Sequence, residues 1–475
     1  MPRTQPALLW FRQDLRLADN PALHAAADSG APVFAVFIHD DEAAAQWQPG
    51  PASRWWLQES LARLGESLGD QLHVYHGDAR EIIPALVHDL GAGAAYWNRC
   101  VEPWYATRDG DIKQVLQAQD VRVHTFNGSY LYDPSVVKKK DGTPYRVFTP
   151  YYRNGCLKLA PSPRMPLPAP VEFEHCERLP RIGQQDAPLP SEHRGFMNER
   201  RAWQPGERGA QQALSSFIDN NIARYVDARD RPDLEGTSYL SPHLHFGEIS
   251  PQQVRSRIML HDDGEPLSAT ADKFLSELAW REFSAYQLYH QPELPTRNLQ
   301  RKYDRFPWEP NDELRRAWEQ GKTGFPIVDA GMRELACSGY MHNRVRMIAA
   351  SFLVKNLLQD WRCGARWFWD HLVDAYLANN SASWQWVAGS GADAAPFFRI
   401  FNPVLQGRKF DPDGTYVRRY VPELRDLPAR FVHCPWEAPA AILDGAGVRL
   451  GESYPAPIVD LAASRKKALA AYAAL

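Results

Sequence analysis

Between Ala7 and Phe126 the chain alternates short apolar runs (ALLWF, PVFAVFI, QLHVYH, GAAYWN, VRVHTF) with helix-length amphipathic stretches. That alternation predicts a parallel sheet built from crossover units, an α/β, Rossmann-like domain over residues 1–130. Asn20 followed by Pro21 supplies a cap and a first-turn proline, so NPALHAAADSG reads as the first crossover helix. From about Ala160 to Pro205 proline and polar residues accumulate (APSPRMPLPAP, DAPLPSEHRGF), the composition of a connector wrapping a surface, here placed over 131–205. Beyond Gly206 the period is helical, as in ADKFLSELAWREFSAYQLYH and NRVRMIAASFLVKNLLQDW. This predicts an all-α domain over 206–475 whose last helix is SRKKALAAYAAL. No GxGxxG follows the first strand, which argues against dinucleotide binding there in the ordinary Rossmann manner.

Composition narrows the class. A chain of 475 residues exceeds the size at which one core keeps growing, in keeping with two domains. Hydrophobic residues make up 44%, yet no apolar stretch approaches the roughly 18 to 20 residues of a membrane span. MPRTQPALLWFRQDLR lacks the pattern of a secretory signal. The 6 cysteines are scattered singly, without CxxC pairs, so a reducing, cytoplasmic setting is expected and no metal site. The net charge of −3 excludes indiscriminate coating of nucleic acid, so any DNA contact must come from a local basic patch. The 16 tryptophans exceed what packing normally demands.

Four constellations carry chemistry. In GTSYLSPHLHFGEIS, Thr237, Ser238 and Ser241 stand just ahead of a proline-started helix, a turn able to cradle phosphate and equally at home as a plain N-cap. In FLSELAWREF, Glu277, Trp280 and Arg281 are spaced i, i+3 and i+4 and share a helix face. They could meet one ligand or form an intrahelical ion pair beside a core tryptophan. In MHNRVRMIAASFLVKNLLQDW, Asn343 and Met347 are one turn apart with Arg344 and Arg346 flanking them. Last, Trp361, Trp367, Trp369, Trp384 and Trp386 fall near Arg399, Arg408 and Lys409, the mixture that holds a nucleic-acid backbone while stacking exposed bases.

In this order and at these separations, from LLWFRQDLRLADNPAL to FRIFNP, the motifs resemble the DNA photolyase and cryptochrome family. The resemblance is nearest to the bacterial class I cyclobutane pyrimidine dimer photolyases. It implies FAD within the helical domain. Tyr225, Thr237, Ser238, Tyr239, Leu240 and Ser241 would lie near its phosphates and ribityl chain, and Phe274, Asp374, Ala375, Tyr376 and Asn380 closer to its rings. The protein would bind, orient and electrostatically tune that cofactor.

The resemblance further implies a pyrimidine dimer flipped out of DNA. Trp280 and Trp386 would wall its pocket, with Glu277 on its polar edge, Asn343 assisting and Met347 packing against it. Arg229, Arg281, Arg344, Arg399, Gln406 and Lys409 would hold flanking DNA. Trp384, Trp361 and Trp308 would form a relay running from flavin to surface, used to reduce an oxidised or semiquinone flavin on illumination. An antenna chromophore, methenyltetrahydrofolate or deazaflavin, is expected in the first domain. Folate-binding members carry an Asn-Glu pair where this chain has Trp104 and Tyr105, and many relatives are acidic where it has Tyr376. A (6-4) photolyase usually offers two histidines at the positions of Asn343 and Met347, and neither residue is a general acid at neutral pH. A cryptochrome-type photoreceptor is the other alternative. A monomer is expected, since one lesion and one flavin need no second subunit.

Overall fold

The structure, a computed structural model, describes residues 5–178, 180–181, 203–263, 267–394 and 396–475. The second half of the expected connector, 182–202, lies outside them. Two compact units emerge. The described part of unit one comprises the chain up to 181, then 203–222 and 238–292; that of unit two comprises 223–237 and 293–475.

Unit one is built on a five-stranded parallel sheet of β1 (Ala7–Phe11), β2 (Val33–His39), β3 (Leu72–His76), β4 (Ala94–Asn98) and β5 (Arg122–Phe126), in the order β3-β2-β1-β4-β5. All five apolar runs become strands. β1 and β4 are buried along their whole length, as expected of central strands covered on both faces. The crossovers are α1 (Pro21–Asp28), α2 (Pro51–Ser67), α3 (Ala79–Leu90) and α4 (Pro103–Ala118). Asn20 caps α1 by accepting the Leu23 N–H at 3.1 Å. The same side chain joins Asp14 and Asn98, for Asn98 Nδ2 donates to Asp14 at 2.5 Å and to Asn20 at 2.8 Å. Residues of the FRQDLRLADNP motif therefore lash the end of β1 to that of β4.

Arg16 of this motif is wholly buried and donates to the carbonyls of Asp19 (2.7 Å), Gly128 (2.6 Å) and Gly247 (2.9 Å). Unit one also contains α5 (Glu207–Asn220), α6 (Ser241–Phe246), α7 (Pro251–Asp262) and α8 (Ala269–His290). Glu248 knits these to the crossover helices, accepting from Trp56 Nε1 at 2.9 Å and from the Gly206 N–H at 2.6 Å and pairing with His243.

Unit two is helical. Its main elements are α9 (Pro326–Ser338), α10 (Asn343–Ser351), α11 (Trp361–His371), α12 (Leu377–Ala388), α13 (Pro403–Phe410) and α14 (Leu461–Ala473). Glu334 of α9 is buried and gathers the Tyr416 hydroxyl (2.6 Å), the Tyr420 hydroxyl (3.3 Å) and the His342 N–H (3.1 Å), which fixes the turn from which α10 starts. Among the described residues no helix is long and apolar enough to cross a membrane.

Candidate functional site

The expected site residues divide between the two units. In unit one, Ser238 to Ser241 form a tight turn into α6, with Tyr239 at φ 53°. That left-handed conformation is uncommon for a residue with a side chain. The Leu240 N–H reaches Ser238 Oγ at 3.4 Å, and Pro242 occupies the first helical turn. Phe274 is buried against Phe217, rings 4.6 Å apart.

Helix α8 starts at Ser268, whose hydroxyl oxygen accepts the Ala271 N–H. Glu277 pairs with Lys273 one turn earlier, at 2.8 Å. Trp280 is half-buried and lies flat on Phe148, ring centres 3.8 Å apart and planes within 9°. Arg281 donates to the carbonyls of Ser129 (3.0 Å) and Leu244 (3.2 Å) and pairs with Glu282 at 3.2 Å. With its side chain 10% exposed, it is largely engaged within unit one.

In unit two, Thr237 Oγ is buried and has no hydrogen-bond partner among the described residues. A buried hydroxyl without an acceptor is costly unless a ligand satisfies it, and a phosphate oxygen is the kind of acceptor that the resemblance implies. Asp374 accepts from Arg346 at 2.9 Å, and Ala375 and Tyr376 are buried between it and the start of α12. Asn380 Nδ2 donates to the Ala365 carbonyl at 2.8 Å. This fixes the amide so that its oxygen is the atom directed away from α11. These features fit a polar, phosphate-bearing cofactor with a hydrogen-bonding ring.

Trp384 is buried, edge-on to Trp318 (6.2 Å) and Phe368 (5.0 Å). Its ring presses on Gly364, one turn along α11 from Trp361, so closely that a Cβ there would stand 2.1 Å from it. Trp361 is fully buried and donates its indole N–H to Asn298 at 3.0 Å, while Asn298 donates to Asp304 at 2.8 Å. Trp308 is half-buried against Phe306 at 4.3 Å. A backbone bond from Glu309 to Leu358 (2.9 Å) ties its segment to the approach to α11.

Asn343 is exposed on the first turn of α10 and Met347 half-exposed one turn on. Arg344 donates to Asp230 at 2.7 Å and lies over Phe410, while Arg229 pairs with Asp230 at 3.7 Å and covers Tyr225. Trp386 and Gln406 are half-buried, and Arg399 and Lys409 exposed. Lys355, buried on α10's continuation, donates to the Arg399 carbonyl at 3.0 Å. Burial, aided by the Arg399 charge, pulls its ammonium down to about 8. Sequence reasoning missed Asp230, Asn298, Phe148 and Lys355. Only Asp230, beside Arg229, gave a local signal.

At the switch point of unit one's sheet, between β1 and β4, Arg12 follows β1, Glu102 caps α4, and Tyr105 and Arg108 lie on the first turns of α4. Arg108 pairs with Asp40 at 3.0 Å and lies 4.5 Å over both Trp10 and Tyr105. Glu102 accepts from Gln13 at 2.8 Å, and burial raises its carboxyl above the ordinary range. Tyr105 is thus engaged as a platform for an arginine.

Two family models match the chain: that of DNA photolyase over residues 7–171 and that of the FAD binding domain of DNA photolyase over 274–474. The chain belongs to the DNA photolyase family. This photolyase-family chain is 46% identical to a deoxyribodipyrimidine photo-lyase of Agrobacterium fabrum, an alignment covering 100% of it and 98% of that protein. It is 38% identical to Cryptochrome-1 of Arabidopsis thaliana, over 96% of this chain and 68% of that one. Among solved structures it resembles a bacterial class III photolyase from Agrobacterium tumefaciens, with TM-score 0.93, 45% identity and coverage of 100% and 98%. The motifs pointed to the class I enzymes; this structural neighbour carries the class III name.

Proposed function

We propose that this protein repairs cyclobutane pyrimidine dimers in DNA, driven by light and dependent on FAD. One observation carries the reading: the first two turns of α10 present Asn343 and Met347 outward, an amide and a thioether where a (6-4) enzyme would need an acid. FAD held by this chain would, when reduced, supply light-driven one-electron chemistry for opening the two inter-base bonds with no net redox change.

The chain's own residues do the rest. Thr237, Ser238 and Ser241 donate to the phosphates, Tyr225, Tyr239, Leu240 and Phe274 line the chain and rings, and Asp374, Ala375, Tyr376 and Asn380 present polar and apolar edges to the ring. Trp280 and Trp386 stack on the extruded bases, a contact worth about 1–3 kcal/mol per base. Glu277 and Asn343 hydrogen-bond their polar edges and Met347 packs against them. Arg229, Arg344, Arg399, Gln406 and Lys409 hold phosphates. Trp384, Trp361 and Trp308 carry electrons inward from the surface, a role supported by the packing of Trp384 one helical turn from Trp361.

The test is a light-versus-dark assay of the reduced protein on DNA with a single cyclobutane thymine dimer. Restoration of thymines in light alone is expected. Photoreducible bound FAD with no repair in light would overturn the reading in favour of a cryptochrome-type photoreceptor or a (6-4) photolyase.

A further inference from the structure

The strongest unassigned charge in unit one lies between Ser135 and Ala160. Six cations, Lys138, Lys139, Lys140, Arg146, Arg153 and Lys158, stand there against one acid, Asp141, in a chain whose net charge is −3. Asp141 is spent locally, accepting the N–H (2.9 Å) and hydroxyl (2.6 Å) of Thr143. Arg153 pairs with Asp272. Among the described residues Lys138, Lys140, Arg146 and Lys158 have no ion-pair partner, and all four are exposed.

The stretch is built into the fold rather than hung from it. Lys139 and Thr143 close a turn by the Lys139 N–H to Thr143 carbonyl bond (3.0 Å), with Gly142 at φ 80°. The hydroxyl of Tyr286 on α8 clamps both arms, donating to the Val137 carbonyl and accepting the Tyr145 N–H, each at 3.0 Å. The next residues lie on the same helix, for Phe148 stacks on Trp280 and Tyr151 sits 5.0 Å from Phe283. A fixed row of unneutralised cations thus adjoins the residue proposed to meet the damaged bases. The aromatic side chains of the row are buried, and its exposed apolar residues, Val136, Val147, Leu157 and Leu159, are aliphatic. A surface for single strands would instead expose aromatic rings for stacking.

We propose that this ledge seats the phosphates of duplex DNA beside the lesion, through Lys138, Lys140, Arg146 and Lys158. It rests on the repair reading for the place of Trp280, and supplies the local basic patch that an acidic chain requires. The contact is sequence-independent and salt-dependent, each neutralised phosphate adding about 0.9 to the slope of log affinity against log salt.

The experiment measures fluorescence anisotropy of labelled duplexes, undamaged and dimer-containing, from low to moderate salt. Lys140→Ala/Arg146→Ala is expected to lower the slope by nearly 2 on both duplexes, with unchanged dimer splitting per absorbed photon at saturating DNA. The charge-matched control Arg465→Ala/Lys466→Ala, on the exposed face of α14, is expected to keep the wild-type slope. An unchanged slope in the ledge variant, or an equal fall in both variants, would overturn the proposal. Because the undamaged duplex reports on phosphate contacts without any lesion, a wild type blind to the dimer would sink the repair reading without touching this measurement.

Discussion

Trp361 illustrates what a single contact adds to a residue of the proposed electron relay. Oxidation puts positive charge on an indole, and its N–H points at Asn298, itself backed by the Asp304 carboxylate. An acceptor polarised in this way stabilises the oxidised ring and keeps its proton in place. Asn298→Leu should lower the yield of flavin photoreduction several-fold, read by bleaching of flavin absorbance under steady light. Asp304→Asn should do so less, and unchanged yields in both would remove the role. Glu277→Ala should slow dimer splitting while leaving flavin content unchanged. Neither Asn298 nor Phe148 was legible in the sequence. Their partners lie 63 and 132 residues away, and no periodicity encodes a meeting at that range.

Glu282 offers a pH test at the same scale. Burial pushes its carboxyl up to about 7, Arg281 opposing. A carboxyl that binds its proton more tightly when folded gives stability that is full below its unfolded value of about 4.3 and is lost as pH rises through 7. Wild type should therefore lose, between pH 4.5 and 7.5, of the order of 3 kcal/mol relative to Glu282→Gln, measured from denaturant midpoints. A parallel pH profile in the two proteins would contradict this.

At the scale of elements, α11 and α12 pack through a glycine. Gly364 has no room for a methyl, because Trp384 of α12 already fills the place. Gly364→Ala should cost about 1–3 kcal/mol as an overpacked contact and displace Trp384. Thermal unfolding reads the first effect and Trp384 fluorescence, by difference from Trp384→Phe, the second. The helices themselves were legible, since α8 and α10 follow apolar stripes at helical spacing and α14 is rich in alanine. The shared face of Glu277 and Trp280 followed from helix geometry. The fate of Arg281 did not, because carbonyls at Ser129 and Leu244 compete for its donors and leave no trace in side-chain patterning.

For the whole molecule, the five-stranded parallel sheet was readable because each buried strand is apolar nearly throughout and each crossover amphipathic. The assignment of residues 203–222 and 238–292 to the same compact unit as the sheet was not, since helical periodicity says nothing about which neighbour a helix packs on. Arg16 shows the consequence. Its guanidinium gains two of its three carbonyl acceptors only when Gly128 and Gly247 have both arrived, and Trp56 likewise waits for Glu248. A fragment of residues 1–130 would keep every strand yet bury an arginine with an acceptor missing, at a cost of about 1–3 kcal/mol. Such a fragment should unfold with a broad, weakly cooperative transition by circular dichroism and expose dye-binding surface. The sheet is then no autonomous folding unit: it matures only after more than a hundred further residues have been synthesised, and until that moment the nascent chain is a client for chaperones.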